Sequence, residues 1–90
     1  MKNMLKEEIE CLLKKEGKKA VEDVILEKID IDGIVCNWLY IHNAQIAQCN
    51  WINPSITNVE NENVIVSELD MRGGSFQDMY YNNCELKLFL

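Results

Sequence analysis

Ala44-Gln45-Ile46-Ala47-Gln48 runs straight into Cys49-Asn50-Trp51-Ile52-Asn53, and the two stretches read as successive copies of one five-residue unit. Each copy opens on a small apolar residue. A polar residue follows, then a large apolar centre, then two residues suited to a turn. Counting outward in fives from Ile46 and Trp51 gives centres at Ile31, Cys36, Ile41, Ile56, Asn61, Val66, Met71, Phe76, Tyr81 and Leu86. Fixed-period self-similarity decides the architecture of a chain before any single residue does.

The contrast between columns is sharp. The twelve centres and the twelve residues two before them, from Ile29 to Cys84, are apolar at 21 of 24 positions. The remaining three columns are apolar at 8 of 36 positions. Neither a helical period of 3.6 nor a strand period of 2 sustains such a pattern. The centre and the residue two before it point the same way, as in a short extended stretch. The position two after the centre is rich in Gly, Asn and Asp: Gly33, Asn43, Asn53, Asn58, Asn63, Gly73, Asp78 and Asn83. Those residues suit a tight turn. Four such units close a coil of twenty residues, so residues twenty apart should stack. Ile31, Trp51 and Met71 make one interior stack; Cys36, Ile56 and Phe76 make another; Ile46, Val66 and Leu86 make a third. In the fourth, Asn61 stands between Ile41 and Tyr81. A buried Asn there needs a backbone partner or the Tyr81 hydroxyl.

The units Ala44-Gln45-Ile46, Cys49-Asn50-Trp51, Leu69-Asp70-Met71 and Cys84-Glu85-Leu86 resemble those of the pentapeptide-repeat proteins, whose units read roughly Ala-(Asp/Asn)-Leu-x-x. The resemblance covers about two thirds of the chain. It implies a mainly β fold: a right-handed quadrilateral β-helix of about three coils over residues 29–90. The chain departs from the family pattern two residues before the centre, where Ile, Leu, Val or Met often replaces Ala or Cys.

Residues 1–28 read as an N-terminal α-helical cap. Leu5, Ile9, Leu12 and Leu13 form one helical stripe. Gly17 is placed to cap its end, and Val21, Val24 and Ile25 repeat the helical spacing, predicting a second helix to about Glu27. A repeat stack needs a terminal cap. A helix-turn-helix would need a basic recognition face. Here seven Lys balance seven Asp and Glu.

The net charge of -6 therefore sits on residues 29–90, where Arg72 and Lys87 face eight carboxylates. Such a surface repels nucleic acid and favours basic partners. No apolar run approaches the roughly 20 residues of a membrane span, and Lys and Glu interrupt the first segment too often for a signal peptide. The expectation is a cytoplasmic protein with Cys11, Cys36, Cys49 and Cys84 reduced. None has metal-ligand spacing, and His42 is the single histidine. Nothing places a base beside a nucleophile, and Gly73-Gly74 lacks the helix of a phosphate loop. We expect no catalysis, no cofactor and no metal. The abundance of Asn and Ile points to an AT-rich bacterial or phage genome.

Binding is the remaining class of function. Tyr40, Glu60 and Tyr80 share an outward column, with Trp38 and His42 near its start and Glu62 beside it. Exposed aromatics grouped on one face suit a protein partner. The competing reading covers Trp38 and Tyr40 with the N-terminal segment. Asp30, Asp32 and Asp70 mark a second face, and Glu60, Glu62 and Glu68 a third acidic region. Leu88, Phe89 and Leu90 follow the last repeat without a polar cap, which predicts a homodimer through that end. The expected function is a non-catalytic protein–protein interaction module. The alternative comes from the resemblance: some pentapeptide-repeat proteins mimic duplex DNA and bind DNA gyrase.

Overall fold

A computed structural model describes the chain from Met1 to Phe89, the last residue by its backbone alone. It is mainly β, with 67% strand, in a parallel solenoid of about four turns. Its overall dimensions are 25 × 25 × 23 Å. The elements are β1 (Lys2–Asn3), α1 (Lys6–Leu13), β2 (Lys19–Glu27), β3 (Asp30–Asp32), β4 (Val35–Ala47), β5 (Cys49–Ile52), β6 (Ser55–Asp70), β7 (Ser75–Asn82) and β8 (Glu85–Phe89). All strand pairs are parallel.

The pairing fixes the coil. Lys19 lies beside Leu39, Leu39 beside Val59 and Val59 beside Met79, so each turn takes twenty residues. The expected interior stacks form: Ile31 on Trp51, Cys36 on Ile56 on Phe76, and Ile46 on Val66 on Leu86. The corners fall where the fifth column puts them. Asp23, Lys28, Gly33, Trp38, Asn43, Gln48, Asn53, Asn58, Asn63, Gly73, Asp78 and Asn83 all have φ between 49° and 80°. This left-handed conformation is open mainly to Gly, Asn and Asp, which explains that column's composition. Glu68 is not among these left-handed corners, and beside it the pairing of β6 with β8 slips between Val66 and Leu69.

Column residues two before the centre close the corners from inside. The Cys49 thiol lies 3.4 Å from the Ala47 carbonyl and 3.6 Å from that of Leu26, one turn below. Cys84 repeats this on Asn82 and Asn61 at 3.3 and 3.5 Å. The small residue Gly74 has a packing reason, since a Cβ there would collide with the Phe76 ring and with Pro54.

The N-terminal segment departs from expectation. Only Lys6–Leu13 is helical, and it ends at a Lys14 cap rather than at Gly17. Residues Lys19–Glu27 are a strand, not a second helix. The repeat thus runs back to Lys19, with Val21 and Leu26 as further buried centres. That supplies the additional turn beyond the three expected. Lys19 occupies an inward position and is only 7% exposed. Its ammonium is satisfied by the carbonyls of Gly17 and Asn37, each at 2.7 Å. Helix α1 packs on β3 and contributes Ile9 and Leu13 to the core. Glu8 accepts the Leu5 backbone N–H at 3.2 Å, which serves an otherwise unpaired donor at the helix start.

Asn61 is 8% exposed and its amide donates to the Tyr80 carbonyl at 3.2 Å. The backbone partner, not the Tyr81 hydroxyl, is the one used.

Candidate functional site

The four sides of the coil are unlike one another. One side carries the units centred on Val21, Ile41, Asn61 and Tyr81. Its outward residues stack as Ala20–Tyr40–Glu60–Tyr80 and as Glu22–His42–Glu62–Asn82. Along its leading edge run the left-handed corners Trp38, Asn58 and Asp78, with Lys18 beside Trp38. The six residues singled out from the sequence, Trp38, Tyr40, His42, Glu60, Glu62 and Tyr80, therefore meet on this one face. Trp38 is 55% exposed and Tyr80 61% exposed. Helix α1 lies against β3, on another side, and leaves them uncovered.

Strand geometry alone aims these side chains outward, and hydrogen bonds then fix several of them. The Tyr40 hydroxyl donates to Glu62 Oε2 at 3.1 Å. The Tyr40 and His42 rings stack with centroids 5.6 Å apart and planes 15° apart. His42 Nε2 lies 3.9 Å from Glu62 Oε1. Partial burial, the bond to Glu62 and the nearby carboxylates of Glu62, Glu22 and Glu60 push the Tyr40 pKa above its ordinary value. A neutral phenol is thereby held in a negative field. With its amide oxygen toward the indole, Asn58 accepts from Trp38 Nε1 at 3.2 Å and donates to Asp78 Oδ2 at 3.3 Å.

The face is not flat. Glu60 is shorter than the tyrosines above and below it, so the column Tyr40–Glu60–Tyr80 has a notch at its middle rung. Two shallow depressions flank that notch. One is bounded by Lys18, Trp38, Tyr40, Asn58, Glu60 and Tyr80. The other is bounded by Tyr40, Glu60, Glu62, Tyr80, Tyr81 and Asn82. Sequence reasoning missed Lys18, Asn58 and Asp78, which the same count of twenty from Trp38 would have found.

The other acidic groups lie elsewhere. Asp30, Asn50 and Asp70 stack on the opposite side of the coil. There the Arg72 guanidinium grips Asp70 at 2.6 Å and holds its carboxyl below the ordinary value. Glu68 does not join Glu60 and Glu62; it stands at a corner next to the β6–β8 slip. Leu88 packs partly against the core. The Phe89 side chain and Leu90 lie outside the described residues.

Compared with known proteins, the chain matches no family model, and no curated protein or solved structure matches it significantly. Among the described residues, no three His, Cys, Asp or Glu side chains gather as a metal ion would need. No helix there is long and apolar enough to cross a membrane. The four cysteines are unpaired, with Cys36 and Cys49 buried and Cys11 exposed. Burial pushes the thiols of Cys36 and Cys49 up, away from nucleophilic thiolate character.

Proposed function

We propose that this is a non-catalytic protein-binding solenoid of the pentapeptide-repeat type, acting in the cytoplasm through its Trp38–Tyr40–Tyr80 face and self-associating through its last turn. The observation that supports the first part is the convergence of Trp38, Tyr40, His42, Glu60, Glu62 and Tyr80 on one side of the coil. Aromatic residues with polar tips are enriched at the energetic centres of interfaces, and a rigid solenoid holds them without an ordering cost at binding. The acidic mimic of DNA needs one continuous negative stripe. The carboxylates here are divided between opposite sides, and Asp70 is already neutralised by Arg72. The aromatic face is the better-supported reading.

Capture of partners from host lysate tests it, using the wild type, Tyr80→Ala and, as a control on the opposite side, Asp30→Asn. A protein held by the wild type and by Asp30→Asn but released by Tyr80→Ala is the expected result. Retention by Tyr80→Ala at wild-type level would remove the aromatic face from the function. A topoisomerase captured equally by all three and eluted by salt would favour mimicry instead.

A further inference from the structure

We infer that the notch between Tyr40 and Tyr80 receives an arginine side chain from a basic segment of the partner, with Glu60 as its counter-ion. This rests on the interaction reading above and adds the chemistry of the group recognised.

The rungs of a parallel coil are about 4.8 Å apart, so Tyr40 and Tyr80 stand about 9.6 Å apart on either side of Glu60. A cation at the middle rung lies one rung from each tyrosine. One face of the Tyr40 ring is taken by His42, and the exposed Tyr80 ring is the one open to a cation within the roughly 6 Å of such an attraction. The carboxylates around the notch are not equivalent. Glu62 already accepts from Tyr40 and neighbours His42. Glu60 makes no side-chain hydrogen bond or ion pair among the described residues. It is the free anion on the floor of the notch. Lys18 lines the same depression as Glu60 and Trp38 but makes no ion pair with Glu60. A planar guanidinium suits this geometry better than an ammonium. It stacks on aromatic faces, bonds a carboxylate in bidentate fashion and gives up its hydration more readily.

The test is an NMR titration of the full chain with N-acetyl-arginine amide, its neutral isostere N-acetyl-citrulline amide, and N-acetyl-lysine amide. Shifts confined to the Tyr40, Glu60 and Tyr80 resonances are expected with arginine, weaker ones with lysine, and none with citrulline. Glu60→Gln and Tyr80→Ala should each weaken the arginine response by about threefold to tenfold, while Asp32→Asn on the opposite side leaves it unchanged. Equal responses to arginine and citrulline, no response to either, or equal weakening by Asp32→Asn would overturn the inference. These failures are separable from failure of the interaction reading. If Tyr80→Ala releases the lysate partner while Glu60→Gln does not, the face binds but not through a cation.

Discussion

Trp38 is a bulky residue held at φ 65°, in a corner column otherwise dominated by Gly, Asn and Asp. A large side chain in the left-handed region costs roughly 1–2 kcal/mol relative to glycine. Strain of this kind persists where the surroundings impose it, and it tends to mark functional positions. Its bond to Asn58 offsets only part of that cost. Trp38→Gly is therefore expected to raise stability by up to about 1 kcal/mol while weakening partner capture. A higher urea midpoint at unchanged slope would show the first, and the lysate experiment the second. A variant that loses stability would mean that the Asn58 bond outweighs the strain. Lys19 is the opposite case, a charge placed inward to complete the coil. Its ammonium serves two carbonyls at the entrance to the first turn. Lys19→Met keeps the aliphatic stem and leaves both acceptors without it. We expect a loss of about 1.5–3 kcal/mol, read from chemical denaturation. A loss under about 0.5 kcal/mol would mean that water replaces the ammonium.

At the scale of elements, what was legible and what was not follow from the same columns. From Ile29 onward the count of five predicts strand, corner and interior stack, because twelve units outvote local ambiguity. Before Ile29 only two units remain. Val21 and Val24 fit a helical stripe as well as they fit the repeat, Ile25 fits only the stripe, and Lys19 disguises an inward position as a surface one. Pairing with β4 decides the matter in favour of strand, since β2 satisfies its backbone groups on a neighbour that already exists. The face around Tyr40 was legible because twenty-residue stacking follows from four five-residue sides. The notch at Glu60 was not, since it depends on relative side-chain lengths on one surface. Helix α1 has eight residues, too few to be stable alone in water. Its helicity must come from docking Ile9 and Leu13 into the core. Ile9→Ala should cost about 2–4 kcal/mol and release α1 before the strands. Hydrogen exchange would then show the α1 amides opening early while β4 and β6 stay protected. Simultaneous loss of protection in all three would make α1 part of the global folding unit.

Taken as a whole, the molecule has two unlike ends. The first turn is closed by α1, by β1 on the edge of β2 and by the Lys19 ammonium. At the other end β7 and β8 pair on β6, and among the described residues no element pairs on their outer side. The interior residues change accordingly. Centres in the earlier turns, such as Ile46 and Ile56, are buried, whereas Phe76, Met79, Cys84, Leu86 and Leu88 are only partly so. An edge of parallel strands presents unpaired donors and acceptors along with this apolar surface, which favours pairing with a second copy. A two-fold dimer would bury both edges in one contact. Sedimentation of this chain is expected to give twice the monomer mass of 10.5 kDa. Leu88→Asp, at a partly buried position of the last turn, should return it to the monomer, with circular dichroism confirming that the solenoid remains folded. Leu5→Asp, at the opposite end and 62% exposed in the structure, should leave the dimer intact. A wild type that stays monomeric as concentration rises would show that the open turn is stable in water without a partner, and a Leu88→Asp variant that remains dimeric would show that the contact is not made by this turn. Residual self-association would then have to be sought on the aromatic face.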